Sequence, residues 1–282
     1  MSFGIVGNGF VGSAIVHGFV LHVGDILIYD RDTKKSTHSL LEVIQGAKII
    51  FICLPTPMNK NGKCDLSIIE KVLTEISSFN VNFDEHVFVI KSTVVPGTTD
   101  KLSKKFPKLA FVFNPEFLTE RRAKLDFINT SRIVLGGYHG FVSKVEALYR
   151  IRFPYTKIIK TDLKTAELIK YMANCFFATK ISFMNEMKQV CDKMDGDWDK
   201  AMDGFITDGR IGNSHIDVPG HDGNLGFGGK CFPKDINAMI VRCEELGIDP
   251  KVMKAAWEKN IEVREDLDWL SIEGATNFED EE

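Results

Sequence analysis

The 282-residue sequence predicts an α/β fold, a doubly wound parallel sheet followed by an all-helical region. Three observations carry this. Short apolar runs alternate with helical stretches from Phe3 to about residue 159. A glycine-rich turn joins the first run to the first helix. From Thr161 onward the apolar periodicity is helical only. The change of pattern gives expected domains of 1–160 for the sheet and 161–274 for the helices, with an acidic tail over 275–282.

Phe3 to Val6 reads as a strand, and Gly7-Asn-Gly9-Phe-Val-Gly12 leads into a helix to about Leu21. A second strand, Ile26 to Asp30, closes on an acidic residue. This is the Rossmann-type dinucleotide-binding arrangement, with strand before, helix after and carboxylate on the next strand. Gly7 allows the tight turn, Gly9 lets backbone approach a pyrophosphate, and Gly12 permits close helix–strand packing. With Phe10 and Val11, Gly12 opens the helix whose N-terminus would face the phosphates. Asp30 would accept hydrogen bonds from both adenosine ribose hydroxyls, so the expected cofactor is NAD and not NADP. Arg31 beside it is the residue that could instead hold a 2′-phosphate.

Further strands follow at Ala47 to Leu54, His86 to Lys91, Leu109 to Phe113, Arg132 to Leu135 and Lys157 to Ile159. Buried apolar strands separated by helices imply a parallel sheet covered on both faces. Ligands of such sheets bind at the carboxyl ends of the strands. Thr56-Pro57, Ser92-Thr93 and Asn114-Pro-Glu116-Phe117-Leu118-Thr-Glu120 all lie at such ends, so they are expected to converge on one cleft.

A long helix is expected over Thr161 to Asp195, apolar on most faces around Phe176, Phe177, Phe183 and Met184. So much apolar surface exceeds what a small domain can cover, and a homodimer interface on this helix is the expectation. Lys170 and Asn174 are one turn apart on one side, with Glu167 as a surface partner for Lys170 if it has no other role. A short helix over Ala201 to Arg210 and a loop over Ile211 to Asp222 come next. The loop's His215 and His221 read as solvated, and no metal site is expected.

Gly223-Asn-Leu-Gly226-Phe227-Gly228-Gly229-Lys-Cys231-Phe-Pro-Lys-Asp235 then opens another helix. A thiol at a helix N-terminus between Lys230 and Lys234 sits where a thiolate is favoured, which suits a nucleophile. The plainer alternative is a flexible loop carrying an inert buried cysteine. Val252 to Trp269 reads as a last helix, and Glu279 to Glu282 as a solvated tail.

Composition narrows the function classes. Hydrophobic content of 44%, charged content of 26% and a net charge of −4 fit a soluble globular protein and argue against a nucleic-acid binder. No apolar run reaches the ~18 residues of a membrane helix. A strand already begins at Phe3, so no presequence is expected. Six cysteines without Cys-x-x-Cys spacing suit a reducing cytoplasm (a host's cytoplasm if the source is viral).

In this order the motifs resemble those of the UDP-glucose 6-dehydrogenase family, the nucleotide-sugar 6-dehydrogenases. The matching pieces are Gly7-x-Gly9-x-x-Gly12, Thr56-Pro57, Lys91-Ser-Thr93, Asn114-Pro-Glu116-Phe-Leu-x-Glu120, Lys170-x-x-x-Asn174, Asn185-Glu186, Arg210-Ile-Gly and Gly226-Phe-Gly-Gly-x-Cys231-x-Pro-Lys-Asp235. The likeness runs to about Arg264, and the cysteine segment is its most specific part.

The resemblance implies oxidation of a sugar C6 alcohol to the carboxylate with two NAD, UDP-glucose to UDP-glucuronate being the expected case. It makes Cys231 the nucleophile, through a thiohemiacetal and a thioester. Lys170 and Asn174 would stabilise the oxyanion, and Thr93 and Asp235 would position a water. Glu116 would be the base, with Glu120 near Lys170. Thr93 would also touch the cofactor, as would Thr56 and Pro57. Glu116, Phe117, Leu118, Phe227 and Gly228 would line the substrate with Lys170 and Asn174, and Arg210 would reach a neighbouring subunit's substrate.

Members of that family usually continue into a second nucleotide-fold domain, whose place a separate chain could take. Arg121 also stands where a glycine is common. A compact form, half of a split enzyme and an inactive relic remain open. So do two other functions, a β-hydroxyacid dehydrogenase of the 6-phosphogluconate type, which has no use for Cys231, and a non-catalytic nucleotide-binding partner.

Overall fold

In a computed structural model that describes residues 2–278, each apolar run becomes a strand whose alternate side chains enter opposite layers. The first elements are β1 (Phe3–Val6), α1 (Phe10–Phe19), β2 (Ile26–Tyr29), α2 (Leu40–Gly46) and β3 (Ile49–Ile52). After β4 (Met58–Asn59) come α3 (Ser67–Ser78), β5 (Val87–Ile90), α4 (Thr98–Lys105), β6 (Phe111–Phe113), α5 (Ala123–Ile128), β7 (Arg132–Gly137), α6 (His139–Arg152) and β8 (Lys157–Thr161). The helical region holds α7 (Leu163–Lys193), α8 (Trp198–Ile206), α9 (Phe232–Glu245) and α10 (Lys251–Val263), and β9 (Thr276–Asn277) follows.

The chain divides into two compact units, one of residues 1–56 and 66–170, the other of residues 57–65 and 171–282. The expected boundary at 160/161 therefore moves to 170/171, because the first turns of α7 pack on the sheet through Ala166. Residues 57–65, inside the expected first domain, join the second unit, where β4 pairs with β9. Of the expected acidic tail, Ala275 is buried and β9 is paired. Glu279 to Glu282 lie outside the described residues.

In the first unit the sheet order is β2-β1-β3-β5-β6-β7-β8. Val6, Ile50, Ile52, Phe88 and Ile90 point into one layer with α2, α3 and α4. Phe3, Ile5, Phe51, Val87 and Val89 point into the other with α1, α5 and α6. This period-2 division of continuously apolar strands is what two covered faces require.

Two strands depart from the expected all-parallel sheet: β7 runs antiparallel to β6, and β8, parallel to β7, is reversed with it. The 18 residues between β6 and β7 hold the polar segment after β6, a 3₁₀ turn and α5, and the chain re-enters the sheet beside β6 in the opposite direction.

Helix α7 is 31 residues long, starting behind Asp162, which accepts from Thr165 N–H at 2.9 Å. Glu167, expected as a surface partner of Lys170, is instead fully buried. It accepts from Gly97 N–H at 2.6 Å and from the amide and hydroxyl of Thr99 at 2.7 and 2.6 Å, closing the N-terminus of α4. Burial pushes its carboxyl up to about 7 against those three hydrogen bonds. A raised native value means that the folded state holds the proton more tightly, so this contribution to stability is full below ~4.5 and lost as pH rises through about 7. Wild-type unfolding free energy is expected to fall by up to ~3 kcal/mol over that window, and Glu167→Gln to remove the slope. Urea titrations at pH 5 and pH 8 read it; equal slopes in both proteins would refute it.

The second unit builds on the rest of α7 with α9 and α10. Ala178, Phe227, Ile236 and Ala256 form its core, and Phe232 and Trp257 pack against it. Helix α8 starts three residues before the expected Ala201, capped by Asp197. Helix α10 ends at Val263, short of the expected Trp269, because Arg264 takes an extended backbone and turns a buried guanidinium toward Asp222 and Asp268. His215, expected to be solvated, lies flat on Phe177 with ring centroids 4.1 Å apart and meets the edge of Phe232.

Candidate active site

In the first unit the turn after β1 has the form that the glycine spacing predicts. Gly7 takes φ +95°, and a Cβ there would lie 2.5 Å from the carbonyl oxygen of Cys53. A Cβ on Gly12 would collide with the Gly7 carbonyl, so helix and turn close only with both glycines. Around Gly9, the N-cap of α1, there is open space, and the free N–H groups of Phe10, Val11 and Gly12 begin the helix there. The Asp30 carboxylate is fixed from both sides, by Asn8 N–H at 2.6 Å and Asp32 N–H at 2.9 Å. These residues fit a dinucleotide: open backbone donors for the pyrophosphate and an oriented carboxylate for the ribose. Thr56 donates to the carbonyl of Thr93 at 2.9 Å, joining the ends of two strands, while Pro57 belongs to the second unit.

Beside this turn the segment after β6 carries a buried ion pair. Lys170 on α7 donates to Glu116 at 2.8 Å, with side chains only 4% and 5% exposed. Burial alone would raise the Glu116 carboxyl, but the Lys170 charge and hydrogen bond, the N–H of Leu118 and the charge of Lys91 outweigh it. The group is held below the usual carboxylate range. Phe117 lies under two cations, Arg132 at 4.1 Å and Lys170 at 5.6 Å. Leu118 contributes its amide to Glu116 at 2.6 Å, and Glu120 is exposed at the start of a short 3₁₀ turn.

The second unit holds the cysteine. Cys231 is half-buried at the N-cap of α9, with Pro233 in the first turn, and the Asp235 amide donates back to its carbonyl at 2.8 Å. Asp235, 1% exposed, accepts from Asn174 of α7 at 2.6 Å and from Lys234 on its other oxygen. Burial alone would lower Lys234, but Asp235 and the sulfurs of Cys64 and Cys231 outweigh it and hold the ammonium charged. Cys175 and Cys53 have thiols pushed up by burial, the latter to about 12, so neither offers a thiolate.

Three of the expected substrate contacts have partners within the protein. The Phe227 side chain is packed in the core, and its N–H and C=O are both bonded to Asn260, at 2.6 and 3.0 Å. Gly228 is a glycine for a structural reason, since a Cβ would run into Arg264 and Asp268. Arg210 lies exposed on the turn after α8, bound bidentately by Asp208.

What the sequence did not reveal is the cradle of the glycine loop. Asn185 accepts from Gly226 N–H at 3.1 Å, Asp268 from Gly229 N–H, and Arg264 donates to the Leu225 carbonyl and to Asp222. Asn260, Arg264 and Asp268 carry no local signature; the one available clue was a polar residue, Asn260, on the apolar side of a helix. Asn260→Ala is expected to cost ~2–4 kcal/mol, because it strands two buried backbone groups and leaves a cavity. Thermal unfolding checks it, and a variant as stable as the parent would show that the loop finds other partners. Among the described residues no group of three His, Cys, Asp or Glu side chains could hold a metal, and no helix is long and apolar enough to cross a membrane.

Comparison with known proteins agrees with this arrangement. Residues 35–152 match the family model of the UDP-glucose/GDP-mannose dehydrogenase family, NAD binding domain, and residues 164–262 match its central domain. The chain is 36% identical over 233 residues to a UDP-glucose 6-dehydrogenase of Bacillus subtilis, covering 79% of this chain and 48% of that protein. It is 30% identical over 305 residues to a UDP-glucose 6-dehydrogenase of Haloferax volcanii, covering 92% and 69%. It thus spans about half the length of most of the curated relatives it matches. A solved UDP-glucose dehydrogenase from Pyrobaculum islandicum superposes with a TM-score of 0.80 at 26% identity, over 93% of this chain and 68% of that one. The first unit's nucleotide is accordingly NAD, and its fold is Rossmann-like with a helical central region after it. With turn, ion pair, cysteine and both domain matches in agreement, the chain belongs to the UDP-glucose/GDP-mannose dehydrogenase family.

Proposed function

We propose that this chain carries out the NAD-dependent, two-step oxidation of a nucleotide sugar's C6 alcohol to the carboxylate, with UDP-glucose as the substrate. The observation that carries the reading is the cysteine. Cys231 sits half-buried at a helix start, beside a Lys234 held charged, whereas desolvation suppresses the thiols of Cys53 and Cys175. That is the setting of a nucleophile.

The two units then have separate tasks. Gly9 to Gly12 and Asp30 hold the cofactor, which when bound accepts a hydride in each oxidation. Cys231 adds its thiolate to the C6 aldehyde, forming a C–S bond and keeping the reactive carbonyl from escaping. Lys170 and Asn174, one turn apart on α7, donate to the oxygen that gains charge as carbon becomes tetrahedral. Glu116, kept ionised by Lys170, takes the proton of the water that cleaves the thioester. The Asp235–Asn174 hydrogen bond fixes the amide's orientation. Incubation with NAD and UDP-glucose should yield two NADH per acid formed; no NADH from UDP-glucose or GDP-mannose would refute the activity.

Assembly through α7 belongs to the same proposal. Along α7, Met172 is exposed at 61%, Phe176 at 63%, Phe183 at 51% and Val190 at 46%. Covering each side chain would stabilise a homodimer by ~1.5–3 kcal/mol. Light scattering at micromolar concentration is expected to give twice the chain mass and Phe176→Glu the mass of one chain. A monomeric parent, or an unchanged variant, would refute it. Met184 and Phe177 take no part in the exposed face, being buried at 3% and stacked on His215 respectively.

A further inference from the structure

Behind the Asn114-Pro115-Glu116 turn lies a second buried lysine that the proposed chemistry leaves unused. Lys91, at the end of β5, is 4% exposed and donates to Asn114 Oδ1 at 3.1 Å and to the Pro115 carbonyl at 3.3 Å. Asn114 Oδ1 also accepts from the Tyr149 hydroxyl, and Asn114 Nδ2 donates to the Val134 carbonyl. Lys91, Glu116, Tyr149, Thr130 and Arg132 are among the residues that line a cavity of about 30 Å³. A water needs ~10–15 Å³ of such space and two to four polar partners, so this cavity accommodates about two. Thr130 and Arg132 on its wall are themselves partly exposed.

Two oxidations and a hydrolysis release protons beside Glu116 and Lys170, both nearly closed to solvent. We propose that Lys91 and the cavity beside it form a proton relay that clears the proton taken up by Glu116, an inference that rests on the reading of Glu116 as the hydrolytic base. The attacking water gives its proton to Glu116 and its oxygen bonds to the thioester carbon. The C–S bond breaks, and its electron pair leaves on the Cys231 sulfur. The Glu116 carboxylic acid passes its proton through cavity water to the neutral Lys91 amine, regenerating carboxylate and forming ammonium, which loses the proton to solvent water.

The charges around Lys91 suit the exchange. Burial lowers the Lys91 ammonium to about 8; Cys53 and Glu116 oppose that, and Lys170 adds to it. Arg132 and the Tyr149 hydroxyl complete its surroundings on the cavity wall. Neutralising Glu116 removes a charge that keeps Lys91 protonated, so the two groups exchange occupancy of one proton.

A merely structural Lys91 would pin the turn and nothing more, and Lys91→Arg separates the roles, since arginine keeps the charge and both donors but does not shed a proton. In single turnovers with NAD and UDP-glucose, wild-type thioester hydrolysis is expected to rise through pH 8. In Lys91→Arg that rise should be absent and hydrolysis at pH 8.5 at least ~10-fold slower, with the first NADH burst kept. A retained rise in the variant overturns the relay while leaving the activity intact. No burst in the wild type overturns the reading of Glu116 and the relay with it. Should Lys91→Arg not fold, nitrogen NMR of the Lys91 amine decides: its midpoint is expected to move to lower pH in Glu116→Gln, and an unmoved midpoint overturns the relay.

Discussion

Cys231→Ala is expected to stop acid formation while leaving the first oxidation measurable, the largest effect of any single substitution in this chain. Without the sulfur there is no thioester, so acid should fall by ~10³-fold or more, and NADH should drop from two per acid to one per aldehyde. The parent offers a companion measurement. Cys231 should react with iodoacetamide faster than the other five cysteines, and NAD with UDP-glucose should protect it. Peptide mass mapping reads the labelling and product analysis the stoichiometry. Even labelling with unaltered acid yield in the variant would leave Cys231 as a packing residue.

Lys170→Met is expected to have the second-largest effect, and it acts on stability as well as on rate. It removes the cation 2.8 Å from a carboxylate with 5% exposure and leaves that charge without its partner. Breaking a buried pair from one side costs ~3–5 kcal/mol, far more than deleting both members. The Glu116→Gln, Lys170→Met double variant should therefore regain most of the loss. The carboxyl is depressed in the folded state, so the pair's contribution is present above the ordinary carboxylate range and is lost as pH falls through the lowered value. Urea unfolding of the single and double variants at pH 7 tests it. A double variant no more stable than the single would mean that Lys170 acts through packing instead.

Parts of this architecture were legible because their causes are local. The β1 turn is set by glycines within six residues, and the collisions that a Cβ would meet at Gly7 and Gly12 are with the turn itself and the adjoining strand end. The strands were equally clear, since a short continuous apolar run such as Ile49 to Ile52 is the pattern of a strand covered on both faces. The reversed β7 was not legible. Its direction is fixed by long-range pairing, and its two-pair register with β6 leaves no trace in composition.

The site divides in the same way. Cys231, Lys170, Asn174 and Asp235 stood out through a motif resemblance, and their local settings could be anticipated from helix spacing. The true partner of Lys170 could not, because Glu116 lies 54 residues away while Glu167 is three residues off on the same helix. Proximity in sequence favoured the wrong carboxylate, which α4 had already claimed. Phe227 misled for a related reason: a residue inside a glycine run looks exposed, yet Asn260 draws its backbone inward and its ring fills the core.

The small β4–β9 pair has a consequence for how the molecule assembles. Chain enters the second unit at Pro57, leaves it after Asp65 and returns at Tyr171. The inserted segment is tied to the far end of the described chain, where Asn277 donates to Asp65 across 212 residues at 2.7 Å. A closure of such separation carries a high loop entropy and so forms late. On a ribosome the first unit can complete its sheet as soon as β8 has emerged, while residues 57–65 have no pairing partner until β9 has been made. During that interval the exposed edge of Met58 and Asn59 is a point where proteases or another nascent chain can intervene.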